Sequence, residues 1–462
     1  MSQLRTLPHP PNYEWKPQPE AQAIVTDLLR AHLESSALSR RLAERMRDAA
    51  GARFGDWVDF VVAPASESLR ARLASTGFVS GFEAAPGYER FEHEGALFPT
   101  VLLAETPGVE VGIKVDAVVD FLAAWDLEDV VIEGAPLAPM RRACVARADG
   151  AALWVVERRG YPSMLVPEWS DEKAAASLEH LEAFVRRPRR LQDEARAFAE
   201  TRALIDAAAA ELGTDYAADL FFRAERRYWQ KRNRAARVQF ARQDALGLGW
   251  ANHDHHTYRC TRRNFPRVIE TLEALGFVCR ERFYAGAEAG WGAQVLEQPV
   301  AKFVIFADVD MDPHEVQGDF AHEGFVERDG LGTVGLWCAL HGESMLEAGM
   351  HHLECQFDHA ALVEQLGREG VGTMPPFTNF PFLRQAFTEG ERWPVDPARI
   401  EALVARGLIS VEQAEGFRRH GAIGSHLENL ERNDGYKGFN QQGVSDIISR
   451  TDPRKHGSPA GA

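Results

Sequence analysis

The segment Asp254-His255-His256-Thr257-Tyr258-Arg259 is predicted to form a β-strand. Residues four apart on a strand point to the same face, so His255 and Arg259 should project together. His255 is a potential metal ligand, and the Arg259 guanidinium is a fixed cation with a two-pronged donor head. This pair suits a site where a metal and a substrate carboxylate lie side by side. His256, one residue further along, should point to the opposite face.

This strand begins a unit whose order recurs along the chain. A helix is predicted at 265–275 and ends at Gly276, and further strands are predicted at 277–283 and 302–307. The order of a strand, a helix and further strands is found three more times. The first of these units has a strand at 56–62, a helix at 66–76 and later strands within 78–103. The second has a strand at 110–115, a helix at 117–125 and later strands at 130–132, 142–146 and 152–156. The third has a strand at 351–356, a helix at 359–366 and a later strand at 424–432.

Four βαβββ units in two pairs predict an α+β fold of the vicinal-oxygen-chelate architecture, in which paired units curl into a half-open barrel around a metal. An extended leader and helix at 1–50 precede the N-terminal pair at 51–168. A connector of two or three helices at 169–248 leads to a metal-binding pair at 249–452, and a disordered tail at 453–462 ends the chain. Two unrelated α+β domains are the alternative interpretation.

Composition narrows the class of protein. The 462 residues carry a net charge of −16, which argues against a general nucleic-acid binder and against an anionic membrane surface as partner. The five cysteines show no CxxC spacing, which is typical of reduced thiols in the cytoplasm. No apolar leader segment and no run of about 18 apolar residues occurs, so neither a signal peptide nor a membrane span is predicted. A homo-oligomer is compatible with this sequence.

Three residues of the second half are candidate metal ligands. His255 lies on the first strand of one unit, His352 on the first strand of the next and Glu428 on the last strand. Two histidines and one carboxylate with open positions opposite form the facial triad typical of non-haem Fe(II) oxygenases. Both histidines have a histidine neighbour, and only one of each pair should face the site. His322-Glu323 and His341, in a predicted helical insert at 310–348, are alternative ligands.

The same segments carry a family resemblance. The motif Asp-His-x-x-x-Arg-Thr matches 254–260 with cysteine in place of threonine, and Asn-His-hydrophobic-Thr resembles 351–354, which keeps the histidine and the apolar residue. A strand with Ile-Glu followed by Glu-Arg resembles 426–432, and an Arg-x-Asp-Gly-aromatic segment resembles 432–436. Over about residues 250–452 the chain therefore resembles the 2-oxoadipate dioxygenase/decarboxylase (hydroxyglutarate synthase) family, an iron-dependent branch of the vicinal-oxygen-chelate superfamily.

The resemblance implies a set of site residues. His255, His352 and Glu428 would bind Fe(II), and Arg259 would hold a substrate carboxylate through a bidentate contact. The loop Gln441-Gln442-Gly443 would lie near the substrate. Bacterial members of the family carry small and apolar residues in this loop, so the two glutamines leave the identity of the substrate open.

The resemblance also implies the reaction. A 2-oxo acid and O2 would be converted to CO2 and a shortened hydroxy acid, so that 2-oxoadipate gives 2-hydroxyglutarate. A metal-dependent lyase, isomerase or hydrolase on the same scaffold is an alternative, because a fold does not fix a reaction. A non-catalytic protein that binds a small molecule is a third possibility.

The first half lacks an equivalent ligand set. At the positions of His255 and His352 it offers Asp59 or its neighbours and Ile113 or Lys114. Glu157 could correspond to Glu428, but no histidine accompanies it. The N-terminal pair is therefore interpreted as a degenerate, non-catalytic copy that packs against the other.

Overall fold

The computed structural model describes residues 9, 13–82, 85–148, 150–252, 254–440 and 452–454. The loop 441–443 lies outside these residues. So do residues 1–8 and 10–12 of the predicted leader and residues 455–462 of the predicted tail. Within the described residues, no helix combines the length and the apolar character needed to cross a bilayer.

The N-terminal half forms one eight-stranded sheet in the order β2-β3-β4-β1-β5-β8-β7-β6. β1 pairs in parallel with β4, β5 pairs in parallel with β8, and the antiparallel β1–β5 pair joins the two units. The elements are α1 (Pro19–Ser35), α2 (Ala37–Ala50), β1 (Val58–Pro64), α3 (Glu67–Ser75), β2 (Val79–Ser80), β3 (Glu89–Glu92), β4 (Thr100–Ala104), β5 (Glu110–Lys114), α4 (Val118–Ala124), β6 (Ile132–Glu133), β7 (Met140–Ala148) and β8 (Ala151–Arg158).

Four helices follow, whereas the sequence predicted two or three: α5 (Asp171–Arg186), α6 (Glu194–Leu212), α7 (Thr214–Arg232) and α8 (Arg234–Asp244). Two of the boundaries escaped prediction because the helices almost touch in sequence. Gly213 alone separates α6 from α7, with a positive φ of 90° that favours glycine. Asn233 alone separates α7 from α8, and its side chain accepts the Ala236 N–H at the start of α8.

The C-terminal sheet repeats the topology in the order β10-β11-β12-β9-β13-β17-β15-β14, with β16 paired to β17. β9 pairs in parallel with β12, β13 pairs in parallel with β17, and β9 and β13 are antiparallel. The elements are β9 (Asp254–Cys260), α9 (Phe265–Ala274), β10 (Val278–Tyr284), β11 (Trp291–Gln298), β12 (Phe303–Asp310), α10 (Phe320–Glu323), α11 (Thr333–His341), β13 (His352–Gln356), α12 (His359–Arg368), β14 (Thr378–Phe380), β15 (Leu383–Phe387), β16 (Glu391–Trp393), α13 (Pro397–Ala405), α14 (Val411–His420) and β17 (Ala422–Arg432).

The predicted α+β class with paired βαβββ units is confirmed, although the sequence missed β11. Both faces of this strand are covered, so apolar and polar residues do not alternate along it. Gln294 on β11 is buried because its side-chain amide donates to the Glu281 and Val295 carbonyls, at 3.0 and 2.9 Å. The strands β14 to β16 also escaped prediction, since they lie in a stretch that was expected to be irregular.

The outer face of the C-terminal sheet packs on the helices. Phe222 and Phe221 of α7 belong to the same buried core as Tyr258 of β9 and Leu353 of β13. Tyr258 also reaches past this layer, where its hydroxyl donates to Glu225 of α7 at 3.3 Å. With its outer face covered by apolar residues, the sheet leaves its inner face for polar side chains.

Candidate metal centre

The strands β9, β13 and β17 lie side by side and carry the polar residues of the inner face. Alternate residues on a strand share a face, and the register between the strands aligns these residues across the sheet. The result is two rows of side chains. Thr257, His352 and His426 form the first row, and His255, Glu354 and Glu428 form the second.

These rows line a cavity of about 90 Å³. The predicted ligands His255, His352 and Glu428 all lie in its wall, as does the predicted clamp Arg259. Only 2% of His255 and 4% of Glu428 is exposed, so these groups are almost fully removed from bulk water. Four residues that are up to 173 positions apart in the sequence (255 to 428) thus line one cavity.

Each predicted histidine ligand contacts a carboxylate, but not the same one. His352 Nε2 lies 3.2 Å from Glu428 Oε2, whereas His255 Nδ1 lies 2.9 Å from Glu354 Oε1. The donor atoms of His255, His352 and Glu428 do not all lie within 4.8 Å of one another. The structure therefore brings the three predicted ligands to one cavity, with His352 beside Glu428 and His255 beside Glu354.

Burial shifts the pKa values of these groups away from the charged forms. It lowers the pKa of His352 and of His426 to about 3, and it lowers that of His255 despite the Glu354 charge. Neutral imidazole is the form that binds a metal. Burial, together with the Glu354 charge, raises the pKa of Glu428 well above its usual range. A divalent cation at this place would reverse that shift and stabilise the carboxylate.

Arg259 offers unused hydrogen-bond donors to the cavity. The residue is 6% exposed, and its Nε and Nη1 have no hydrogen-bond partner among the described residues. Asp308 lies beside it in the register of β9 and β12, and burial raises the pKa of Asp308 to about 8 against the opposing Arg259 charge. A protonated Asp308 would leave the guanidinium charge available to an anion.

His256 and His351, the sequence neighbours of the two predicted histidine ligands, lie in different environments. His256 lies on the outer face, where its ring stacks on Phe222 at 5.0 Å between centroids. His351, in contrast, lines the cavity together with His352. The expectation that only one of these two faces the site is wrong, because β13 begins at His352 and alternation does not extend to His351. The His351 ring is held by the Gly424 carbonyl, 2.9 Å from Nδ1.

Two residues of the site, Glu354 and His426, were not predicted. His426 Nδ1 lies 3.1 Å from the Thr388 carbonyl, a contact that fixes the ring orientation. The signal that could have found both is the tripeptide His-Leu-Glu on a strand, at 352–354 and at 426–428, whereas the copies at 32–34 and 180–182 lie in helices. On a strand, the first and third residues of each copy share a face, so both copies contribute a histidine and a carboxylate.

The alternative ligands lie elsewhere. His341 is 3.2 Å from the Ile423 carbonyl, and His322 lies with Glu273 and Cys279 in a cluster whose donor atoms are all within 4.8 Å. Hydrogen bonds to Glu273 and Asp319 raise the pKa of His322. Two of the three side chains in this cluster are exposed, and none of the three lies in the wall of the cavity that contains His255 and Glu428.

A cluster of apolar side chains covers part of the N-terminal sheet on the face that carries Phe60. Phe60 of β1 and Val156 of β8 are part of a buried cluster there, and the Phe60 ring lies against Gly112 of β5. Glu157, the predicted counterpart of Glu428, is fully buried but accepts hydrogen bonds from the Val118 N–H at 2.8 Å and from Arg141 at 2.9 Å. It holds the start of α4 and does not face an open site.

No family model matches the chain, and no curated protein matches it. Solved structures with a similar fold include a mutant 4-hydroxymandelate synthase from Streptomyces coelicolor, with 13% identity, coverage of 87% of this chain and 97% of the other, and a TM-score of 0.27. An uncharacterized protein YdcJ from Shigella flexneri has 12% identity, coverage of 50% and 71%, and a TM-score of 0.24. Methylmalonyl-CoA epimerase from Mycobacterium tuberculosis has 14% identity, coverage of 39% and 87%, and a TM-score of 0.22. Because these likenesses are weak, we infer function from the residues of the site.

Proposed function

We propose that the C-terminal half is a metal-dependent dioxygenase that decarboxylates and hydroxylates a 2-oxo acid. The observation that carries the proposal is the buried donor set: imidazoles and carboxylates from three adjacent strands line one cavity, next to an arginine with unused donors. Such a set suits a divalent ion that must keep coordination positions open. The family resemblance of 254–260 and 426–432 supports Fe(II) as this ion.

The donor chemistry fits Fe(II). His255, His352 and Glu428 would hold the ion, because the histidines are neutral and a divalent cation would offset the burial and the Glu354 charge that raise the pKa of Glu428. When bound, Fe(II) would supply the redox chemistry that activates O2. Glu354 would keep His255 in place through the 2.9 Å contact to its Nδ1.

The chain's own residues would orient the substrate. Arg259 would bind the carboxylate through Nε and Nη1, which have no partner among the described residues, and this contact would fix the reacting carbons relative to the metal ligands. Burial of the cavity excludes bulk water and strengthens this contact. The specific reaction that the resemblance implies is 2-oxoadipate plus O2 giving 2-hydroxyglutarate plus CO2. Gln441, Gln442 and Gly443 would contact the substrate in this proposal.

The test combines metal analysis with oxygen uptake. Protein purified without a histidine tag and loaded with Fe(II) under argon should bind about one iron per chain and consume O2 when a 2-oxo acid is added. Replacement of His352 or Glu428 by alanine should abolish both. Arg259→Ala should keep the iron and raise KM. Arg259→Lys keeps the positive charge but lacks the planar guanidinium that binds a carboxylate through two hydrogen bonds.

The alternatives give different results in the same experiment. Iron binding without O2 consumption for any 2-oxo acid would favour a lyase, isomerase or hydrolase. Loss of iron in Arg259→Ala would contradict the role of this residue as a substrate clamp. If the wild-type chain bound no divalent metal at all, the dioxygenase proposal would be wrong.

A further inference from the structure

A second set of metal-binding side chains lies on the surface of the C-terminal half. Glu273 is on α9, Cys279 is on β10 and His322 is on α10. A carboxylate oxygen, the thiol sulfur and a ring nitrogen of these residues all lie within 4.8 Å of one another. Three separate elements thus bring the donor types of a zinc site to one point.

The spacing of the donor atoms suits a tetrahedral ion. In a tetrahedral Zn(II) site, bonds of about 2.0 Å to oxygen and nitrogen place two such atoms about 3.3 Å apart. His322 Nε2 lies 2.9 Å from Glu273 Oε1, so an ion inserted between them has to separate the two atoms by only about 0.4 Å. The two side chains are 48% and 40% exposed, which leaves them room for this movement.

Asp319 holds the His322 ring in the orientation that a zinc ligand needs. Its two carboxylate oxygens lie 2.9 and 2.8 Å from His322 Nδ1, which leaves Nε2 directed at Glu273. A carboxylate at the second ring nitrogen is the usual partner of a metal-bound histidine, because it fixes the ring and its tautomer. Asp319 directly precedes α10, so the ligand and its partner lie on the same turn of the chain.

The thiol decides which cation the cluster would take. Thiolate is a soft ligand that selects Zn(II) over Mg²⁺ and Ca²⁺, which prefer oxygen ligands. Glu273 and His322 alone would form an ordinary surface ion pair, and Cys279 adds a third donor that such a pair does not need. With three protein ligands, a water molecule would take the fourth position.

Protons compete with the ion at this cluster. Burial and the charges of Glu273 and Asp319 raise the pKa of Cys279 to about 12, against the opposing Arg282 charge. Hydrogen bonds to Glu273 and Asp319 raise the pKa of His322 as well. Binding of the ion would release both protons, since thiolate and neutral imidazole are the ligand forms, and the affinity should therefore increase with pH.

We propose that Glu273, Cys279 and His322 form a second metal site, which binds Zn(II) and cross-links α9, β10 and α10. The helix α10 belongs to the excursion between β12 and β13, and its Phe320 already packs on Phe265 of α9 at 5.6 Å. The ion would fasten this excursion to the helix beside it. The site shares no residue with the described cavity wall and does not depend on the proposed dioxygenase.

Co(II) in place of Zn(II) reports the thiolate ligand directly. Thiolate-bound Co(II) absorbs in the near ultraviolet through sulfur-to-metal charge transfer. The described cavity wall contains no cysteine, nor does the segment 441–451, so Co(II) at the proposed iron centre would not give this band. Titration of the reduced, metal-free full-length chain with Co(II) at about pH 8 should produce the band, and Zn(II) should abolish it by displacing the cobalt.

Variants assign the band to the cluster. Cys279→Ser should remove it, whereas the matched control Cys144→Ser, which replaces a half-buried thiol of the N-terminal sheet, should keep it. Asp319→Asn should raise the Kd for Co(II) by about 10- to 100-fold, because it removes only the group that orients the His322 ring. A wild-type chain without the band, or a band that persists in Cys279→Ser, would overturn the proposal.

Thermal stability gives a readout that needs no cobalt and separates the two metal sites. In His352→Ala, whose cavity lacks one proposed iron ligand, Zn(II) should still raise the unfolding midpoint, because it binds only the folded cluster. Adding Cys279→Ser to this chain should remove the increase, and adding Cys144→Ser should not. An equal increase with and without Cys279 would mean that zinc binds elsewhere and would refute the site. Cys279→Ser alone should keep iron-dependent O2 consumption, so failure of the zinc site would leave the proposed function standing.

Discussion

Replacement of Glu354 by glutamine should destabilise the C-terminal sheet strongly. Glu354 Oε1 accepts a hydrogen bond from Arg432 Nη2 at 2.9 Å and lies at the same distance from His255 Nδ1. The side chains of Arg432 and Glu354 are 2% and 3% exposed, so the substitution leaves a buried guanidinium without its counter-charge. Removal of one partner of a buried ion pair costs about 3–5 kcal/mol, and we expect a loss of this size in Glu354→Gln.

The measurement is denaturant unfolding of the metal-free protein. The matched control is Glu364→Gln, which removes one partner of an ion pair with Arg368 whose side chains are 65% and 69% exposed. This control should change the unfolding free energy by about 0.5 kcal/mol or less, because solvent screens exposed pairs. Removal of both buried partners, in Glu354→Leu with Arg432→Met, should recover about 1–3 kcal/mol relative to the sum of the single changes.

The dependence of unfolding stability on acid pH gives a second test of the Glu354–Arg432 pair. Burial alone would raise the pKa of Glu354, but the Arg432 charge and the hydrogen bonds from His255 and Arg432 hold it well below its usual range. A carboxylate with a lowered folded-state pKa contributes stability above its unfolded pKa of about 4.3 and loses it as the pH falls further. Wild type should therefore lose stability below this pH more steeply than Glu354→Gln. Equal unfolding midpoints for Glu354→Gln, Glu364→Gln and wild type would refute this account of the pair.

Three further predictions concern other parts of the chain. Gly112→Ala should cost about 1–3 kcal/mol of unfolding free energy, since a Cβ there would overlap the Phe60 ring, and Phe60→Leu should relieve the cost. Asp308→Asn should remove a loss of stability that wild type shows between about pH 4 and 8, because burial raises the folded-state pKa of Asp308 to about 8, so that over this range the unfolded carboxyl is ionised while the folded one keeps its proton; unfolding midpoints at about pH 5 and pH 8 test this. Glu157→Gln should cost about 3–5 kcal/mol by removing the counter-charge of buried Arg159 and partly buried Arg141, while iron binding, measured by chelator competition, stays unchanged.

Much of the topology could be predicted because strand and helix periods alternate in a fixed order. The strand at 254–260 and the helix after it appear in the structure as β9 and α9. β11 could not be found in the same way, since a strand buried on both faces loses its alternation and Gln294 interrupts the apolar run. Alternation of apolar and polar residues predicts a strand that has one buried and one exposed face. A strand with both faces covered does not show this alternation.

The candidate site shows a similar limit. His255 and Arg259 could be placed on one face from spacing alone, and the structure has both in the cavity wall. The partner of His255 could not be deduced, because the contact to Glu354 depends on the register between β9 and β13. Register is set by pairing across the sheet and by the packing of whole strands. His351 faces the cavity for a related reason, since its orientation depends on where β13 begins.

The packing of α7 on β9 determines which piece of the chain could work by itself. Glu225 on this helix accepts hydrogen bonds from Arg187, Arg189 and Tyr258, and Phe222 covers His256 from behind. A fragment that starts at residue 249 would contain every candidate ligand, yet its sheet would present Tyr258 and its neighbours to water. Such a fragment should aggregate. The helices before β9 thus cover the outer face of the C-terminal sheet. The shortest active fragment of the chain should therefore begin before α5.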